Sequence, residues 1–296
     1  MELVFASANS RAGEQIRVAG KPVTMAATEA VRFGDVDLVL SALPHGASAQ
    51  WVQAAAAAGA KVVDLSADYR PGNGVVPEEL GRVPYGLTEL TRDQVADANV
   101  VANPGCYPTA VLIALAPLLR RSLIPAGATI NVSAASGVTG AGFNPKPELM
   151  FAEIAEDFRA YGVGNEHRHI NEMRATVSEL GGDADILFTP HLLPVARGIL
   201  ATMTVPVTER IVNPLALWHE MYDSEPFVEI TDTQPALRDV VRRNVVRITA
   251  MHAANVRTPT LIVVSAIDNL VKGAAGQAVQ NANVMFGFPE TMGLPS

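Results

Sequence analysis

The sequence predicts a two-part α/β protein: a parallel layer with crossover helices, followed by a region built on a mostly antiparallel sheet. Three observations carry this. Over the first third, short apolar runs alternate with Ala-rich helical stretches, and strand–helix–strand repetition with short turns is the pattern of parallel pairing. From residue 128 onward the runs lengthen and few helices separate them, which fits antiparallel neighbours. With 296 residues, 49% of them hydrophobic, the chain has material for two domains or one large one.

In chain order, strands are expected over residues 2–6, 36–43, 61–65 and 99–102, with a helix over 47–60. Val101-Ala102-Asn103-Pro104-Gly105-Cys106-Tyr107-Pro108, followed by an apolar stretch over 109–119, reads as strand, tight turn and helix. Further strands are expected over 128–135, 185–189, 199–207, 227–231, 244–250 and 261–267. The segment 269–285 is Gly/Ala-rich and then helical, its small residues suited to close approach of a backbone or ligand or to a plain tight helix contact. Ligands of parallel layers bind at the C-terminal strand ends, where Pro44-His45-Gly46 and the Cys106 turn both fall.

Composition excludes several classes. A net charge of −8 without a Lys/Arg-rich block argues against nucleic-acid binding. A single cysteine rules out an intramolecular disulfide and a multi-cysteine zinc site. The chain has no apolar run of membrane-spanning length and no signal-peptide pattern at its start. A soluble, cytoplasmic protein is expected, with a small-molecule ligand and no nucleic-acid or membrane partner.

Cys106, the lone cysteine, carries the sharpest chemical signal. A helix start offers unpaired N–H groups and the positive end of a dipole, which favour a thiolate over a thiol, so Cys106 is a candidate nucleophile. A buried, inert thiol is the competing reading. The densest imidazole cluster, His167-Arg168-His169 with Glu172 after it, supplies a candidate proton handler. On a strand or extended loop the two histidines point the same way, and Glu172 on a first helical turn can orient one of them. Two histidines and one acid are too few to predict a metal. Arg197, in an otherwise apolar loop, can grip a carboxylate or phosphate or close a surface salt bridge. Ser136-Gly137-Val138-Thr139-Gly140-Ala141-Gly142 exposes backbone N–H groups after a strand, as an anion or amide site requires, although most such loops are simply turns. His45 reads as a structural or nucleotide-side residue, and Asp64 to Arg70 as an internal ion pair that stiffens its loop.

Jointly these motifs are recognisable. The chain resembles the N-acetyl-gamma-glutamyl-phosphate reductases over nearly its whole length, on Ser41-Ala42-Leu43-Pro44-His45-Gly46, Asp64-Leu65-Ser66-Ala67-Asp68-Tyr69-Arg70, Tyr85-Gly86-Leu87, Asn103-Pro104-Gly105-Cys106-Tyr107-Pro108-Thr109, the Ser136 to Gly142 loop, His167-Arg168-His169, Thr189-Pro190-His191, Arg197-Gly198 and Asp268-Asn269-Leu270-Val271-Lys272-Gly273. The wider group resembles aspartate-semialdehyde and glyceraldehyde-phosphate dehydrogenases in plan. The resemblance implies a Rossmann-like nucleotide domain over 1–108 and 270–296 and an α+β catalytic and oligomerisation domain over 109–269. It implies an NADP(H)-dependent oxidoreductase of arginine biosynthesis, a homodimer or homotetramer, in which Cys106 attacks an acyl phosphate and the resulting thioester is reduced to the semialdehyde. His167, with His169 as rival, would move the proton. Arg197, His169, Asn103 and Glu172 would hold substrate, and the Cys106 N–H is a candidate oxyanion donor. Ser136, Gly137 and Asn269 would line the nicotinamide side, while Ser7, Ser10, Arg11 and Pro44 would serve the rest of the cofactor.

The resemblance also has departures. The family opens with a strand and a glycine-rich turn that cradles the cofactor pyrophosphate, whereas this chain starts at what resembles the second strand. The expectation is that the sequence begins at an internal Met of a longer protein. Phe143-Asn144-Pro145 follows the glycine loop where a basic residue is more usual, and Asn171 stands where Pro is common. Alternatives of other kinds are a carrier-bound aminoadipyl-phosphate reductase of lysine biosynthesis, which a basic docking face would favour and the net charge does not, a thiol acyl hydrolase, and a catalytically silent paralogue.

Overall fold

The elements follow from local pattern. A computed structural model describes residues 2–142 and 146–296; Phe143, Asn144 and Pro145, singled out above, lie outside the described residues. The parallel layer consists of β3 (Leu38–Ser41), β4 (Lys61–Asp64) and β5 (Val100–Ala102), in that spatial order. Val62 and Val63 of the central strand and Val100 and Val101 are shielded from solvent, as a strand covered on both faces requires. Helices α1 (Ala49–Ala57) and α2 (Thr88–Ala96) are the crossovers.

Ahead of this layer the structure departs from expectation. Residues 2–6 form no strand; Ser7 makes one isolated parallel bridge to Ala26, and Leu3 and Val4 are exposed. A strand needs a ladder to satisfy its backbone, and these residues have none among the described ones. An unanticipated hairpin follows, β1 (Gln15–Val18) with β2 (Lys21–Thr24). Its two-residue turn, Ala19-Gly20, takes φ of 48° and 80°. Two positive values match the twist of a tight hairpin, but Ala at the first position hid the signal.

The second part is built on helix α3 (Cys106–Arg120) and a seven-stranded sheet. Its strands, with the intervening helices in chain order, are β6 (Ala128–Gly137), α4 (Phe151–Ile154), β7 (Arg159–Ala160), α5 (Ile170–Glu179), β8 (Ala184–Leu193), β9 (Ile199–Pro206), α6 (Leu215–Tyr222), β10 (Val228–Ile230), α7 (Leu237–Val240), β11 (Val246–His252) and β12 (Thr260–Ile267). Spatial order is β10-β11-β12-β9-β6-β8-β7. The pairings β10–β11 and β6–β8 are parallel and the others antiparallel, so the sheet is mostly antiparallel as expected. Along β9 buried and half-buried residues alternate strictly, placing one face on the core.

Helix α3 is the base on which the nucleophile stands. Its residues from Tyr107 to Leu119 are all buried, packed between the sheet and α5 and α6. Pro117 lies inside it and donates no N–H, which leaves the Ile113 carbonyl without its helical partner. Tyr222 Oη of α6 donates to that carbonyl at 2.6 Å, so the defect is repaired from a neighbouring helix. Truncating a side chain such as Leu112 or Leu115 here costs about 2–5 kcal/mol, a measure of how firmly the helix is seated. The chain then leaves β12, makes a wide π-helical turn over Val271–Ala275 and continues as α8 (Gly276–Met285), which returns to the parallel layer against α2 and β4.

Candidate active site

Strand β5 ends at Ala102, the chain turns through Asn103-Pro104-Gly105, and Cys106 opens α3 with Gly105 as its N-cap. The elbow is held by a buried polar cluster. Glu172, in the first turn of α5, is fully buried; its Oε1 meets Arg70 Nη1 at 3.2 Å, and its Oε2 accepts from Tyr85 Oη at 2.6 Å and from the Gly105 N–H at 3.2 Å. Arg70 spends its other donors on the Asn103 and Leu65 carbonyls, each at 2.8 Å. Gly105 must be glycine, because a Cβ there would stand 2.7 Å from His169 Nε2 and 2.8 Å from Glu172 Oε1.

The expected ion pair within Asp64 to Arg70 does not form. Asp64 accepts from Ser48 Oγ, Ser66 Oγ and the Ser66 N–H, and Asp68 accepts from the N–H groups of Gly46, Ser48 and Ala49. Both carboxylates therefore order turns at the C-terminal ends of β3 and β4. Arg70 crosses instead to Glu172, 102 residues away.

A cavity of about 150 Å³ opens on the thiol. Of the residues singled out from sequence, Cys106, Asn103, His169 and Asn269 line it. Glu172 lies behind its wall, committed to the elbow. His45, Arg70, Arg168, Thr139, Gly140 and Gly273 also line it; the sequence places His45 at the same strand ends as Cys106 and the loop of Thr139 and Gly140 and the segment 269–273 on the nicotinamide side, whereas it reads Arg70 as a loop-stiffening ion pair and gives Arg168 no role of its own. Arg168 is exposed and contacts His45 Nε2. His45 accepts from the Ala67 N–H through Nδ1 at 2.7 Å.

The two histidines do not lie on a strand. They occupy a turn before α5, His169 being its N-cap, and their rings lie 4.7 Å apart, edge to face at 68°. His169 faces the cavity and is buried; His167 sits one layer back among Tyr107, Tyr161 and Phe188, and its Nδ1 accepts from the His169 N–H at 3.2 Å. Burial, reinforced by Arg168, pushes the His167 pKa down to about 4. Burial, then the neighbouring His167, hold His169 well below the usual imidazole range. Both rings are neutral near pH 7. Nδ1 of His169 has no protein hydrogen-bond partner, and its Nε2 faces Glu172 Oε1 at 3.7 Å.

Cys106 corrects the expectation of a helix-start thiolate. Burial pushes its thiol up to about 11, against the opposing pull of Arg70 and the Tyr107 N–H. Desolvation outweighs the field of the helix start, and the resting sulfur is protonated.

The remaining candidates fall in two places. Arg197 pairs with Asp268 at 3.4 Å beside the cavity, and Asn269 braces the glycine loop, accepting from the Gly198 N–H at 2.7 Å and donating to Thr139 Oγ1 at 2.9 Å. Ser136 and Gly137 are buried behind that loop, while Thr139 and Gly140 reach the cavity. Ser7, Ser10, Arg11 and Pro44 stand on the β1–β2 side or at the end of β3; Ser10 and Arg11 share the short turn Asn9–Arg11, and Arg11 pairs with Glu14 at 2.8 Å. Asn171 donates to Asn73 Oδ1 at 3.3 Å, bridging α5 to the loop after Arg70.

Comparison with known proteins places this geometry. Residues 1–98 match the family model described as semialdehyde dehydrogenase, NAD binding domain, and residues 106–269 that described as semialdehyde dehydrogenase, dimerisation domain. The N-acetyl-gamma-glutamyl-phosphate reductase of Geobacter metallireducens is 46% identical over 87% of this chain and 78% of its own length. That of Geotalea daltonii is 43% identical over 90% and 81%. The chain belongs to the N-acetyl-gamma-glutamyl-phosphate reductase family. Among solved structures, aspartate semialdehyde dehydrogenase II of Vibrio cholerae matches with a TM-score of 0.74 at 20% identity, covering 96% of this chain and 90% of that one, and shows the shared fold. Among the described residues no helix is long and apolar enough to cross a membrane.

The nucleotide that the matched domain implies can be tested against the residues beside the thiol. A Cβ at Gly273 would lie 2.8 Å from Cys106 Cβ, and one at Gly140 would lie 2.7 Å from Ser136 Oγ. Both glycines allow close packing that a side chain would prevent, and with Asn269 and Thr139 they line the cavity beside the thiol. These small and polar residues fit the nicotinamide part of a nucleotide.

Proposed function

We propose that this chain reduces N-acetyl-gamma-glutamyl phosphate to N-acetylglutamate semialdehyde with NADPH, releasing phosphate, through a thioester on Cys106. The observation that carries the reading is the thiol at a helix start, facing a cavity shared with a neutral imidazole and an exposed guanidinium, in a chain 41–46% identical to reductases of that name. Cys106 Sγ attacks the acyl carbon, the bond from that carbon to the phosphate oxygen breaks, and phosphate leaves. Because the thiol rests protonated, its proton must go to a base as the C–S bond forms. His169 is that base in this reading rather than His167, since it lines the cavity that opens on the thiol and its Nε2 stands beside the Gly105 turn; His167 supports it from behind. The same proton reaches the departing phosphate. The N–H groups at the start of α3, that of Cys106 first, stabilise the oxyanion.

NADPH, when bound, supplies the hydride that the thioester carbonyl accepts. Thr139, Gly140, Asn269 and Gly273 would hold its nicotinamide, with Ser136 and Gly137 shaping the loop and Ser7, Ser10, Arg11 and Pro44 toward the adenosine end. The resulting thiohemiacetal then breaks its C–S bond, releases the aldehyde and returns the sulfur to the thiol by taking up one proton. Arg168 grips an anionic group of the substrate, with Arg197 as a second candidate whose guanidinium already meets Asp268. Asn103 shapes the floor, and Glu172 positions the elbow.

We assign domain boundaries at residues 1–108 with 270–296 and at 109–269, a cytoplasmic setting, and a homodimer or homotetramer formed through the second domain. Replacing Cys106 with Ala tests the chemistry: NADPH oxidation with the acyl phosphate should vanish while the melting temperature stays close to that of the parent. Retained turnover would sink the mechanism, and phosphate release without NADPH consumption in the parent enzyme would replace reduction by hydrolysis.

A further inference from the structure

Lys272 is fully buried, and so is the side chain of Glu89 that it meets at 2.5 Å; its Nζ also donates to Gln280 Oε1 at 2.7 Å. An ion pair in such a place gains little or nothing over two well-packed apolar side chains, so stability alone does not account for it. Its position does. Lys272 belongs to the π-helical turn Val271–Ala275, and turns of this kind concentrate at functional sites. The next residue, Gly273, packs on the nucleophile, with a hypothetical Cβ 2.8 Å from Cys106 Cβ and 3.2 Å from its Cα. Glu89 stands on α2, in the parallel layer, so the pair ties that layer to the turn that covers the thiol.

Two buried networks on the same pair of helices reinforce the tie. Gln280 Nε2 donates to Glu89 Oε1 at 2.9 Å. Beside it, Gln277 Nε2 donates to Thr88 Oγ1, Thr88 Oγ1 to Asn281 Oδ1, and Asn281 Nδ2 to Asn103 Oδ1, at 2.7, 2.8 and 3.1 Å. Asn103 Nδ2 then donates back to the Ala274 carbonyl of the same turn at 3.2 Å. On the outer side Arg92 holds both Glu225 and Glu290. Those two carboxylates near Glu89 therefore have a cation of their own, and Lys272 remains committed to the turn.

We propose that Lys272 and Glu89 are positioning residues for the Cys106 thiol: their ion pair anchors the π-helical turn and so sets how closely Gly273 packs on Cys106. The inference rests on Cys106 being the nucleophile of the proposed reaction. The test is the double variant Lys272→Met with Glu89→Leu, which keeps apolar packing and removes the directional tie. Its readouts are melting temperature, kcat, KM, and the pH profile of Cys106 alkylation by iodoacetamide, which requires neither substrate nor nucleotide.

With the anchor gone the sulfur is better solvated. Its alkylation midpoint should move down from about 11 toward 9.0, kcat should fall about tenfold or more through misplacement of the attacking atom, and KM should stay nearly unchanged. A variant that folds and alkylates along the parent profile overturns the proposal while leaving the reductase reading untouched. Should the double variant not fold, the isosteric Glu89→Gln decides by the same profile: a downward shift supports the anchor, and no shift overturns it. A Cys106→Ala enzyme that still turns over would instead sink the proposed thioester mechanism and, with it, the premise of this inference.

Discussion

Replacing Glu172 with Gln isolates what the elbow depends on. The side chain keeps its size and loses its charge. If the amide oxygen takes the Oε2 place, it still accepts from Tyr85 Oη and the Gly105 N–H, but its NH₂ then faces Arg70 Nη1, donor to donor, at the present 3.2 Å. If the amide flips, its NH₂ meets the Gly105 N–H donor to donor, while Tyr85 Oη can turn to accept. Either way the Arg70 guanidinium, 5% exposed, is left without a counter-charge, and breaking a buried pair on one side costs about 3–5 kcal/mol. That is a large share of a total stability of about 5–15 kcal/mol, and at roughly 2–4 °C per kcal/mol for a larger domain the melting temperature should fall by on the order of 10 °C. Differential scanning calorimetry at pH 7.5 measures it. A melting temperature within about 2 °C of the parent would mean that Arg70 is compensated by solvent, and would refute the claim that this pair braces the nucleophile's turn.

Three further outcomes follow from the same geometry. Iodoacetamide alkylation of the parent Cys106 should rise through a midpoint near 11, and an inflection near neutrality would show a resting thiolate instead. His167 is held down to about 4 in the folded protein against 6.5 unfolded, so the stability it contributes is complete above pH 6.5 and is lost as the pH falls toward 4, where the unfolded chain takes up the proton that the folded ring refuses. Urea midpoints at pH 7.5 and 4.5 should therefore drop further for the parent than for His167→Asn, and equal drops would contradict the shift. Arg168→Leu should raise KM for the acyl phosphate by about tenfold or more, the value of a hydrogen bond to a charged group, and exceed the effect of Arg197→Leu; steady-state kinetics with the reverse ranking would return the anion grip to Arg197.

Much of the architecture was legible because it is written in local pattern. The alternation along β9 and the apolar run of α3 identify a strand and a buried helix without reference to the rest of the chain, and Pro-Gly before Cys106 with Pro after it specifies a turn on any fold. The hairpin β1–β2 escaped because its turn places Ala19 where Asn, Asp or Gly usually signals positive φ. Arg70 was misassigned for a different reason. Two carboxylates stood within six residues of it, and local charge pairing is the natural reading of such a segment. Yet Asp64 and Asp68 are consumed by Ser and backbone N–H donors at the strand ends, which leaves the guanidinium free for a partner that only the tertiary fold delivers.

The state of Cys106 shows where sequence reasoning reaches its limit. A helix start stabilises an anion by about 0.3–1 kcal/mol when exposed and up to about 2 kcal/mol when partly buried, and that term is readable from Gly105-Cys106-Tyr107-Pro108. Desolvation of the sulfur is not readable, because it depends on Leu270 and Gly273, which arrive from more than 160 residues further along the chain. The larger, unreadable term wins. The consequence is mechanistic: a nucleophile that rests as a thiol reacts only when a base takes its proton during attack, which is the task the proposed reaction gives to His169. A sulfur held as the thiol is also a poor target for alkylation and oxidation between turnovers, so the packing of Gly273 on Cys106 and the elbow that Glu172 braces belong to one chemical problem.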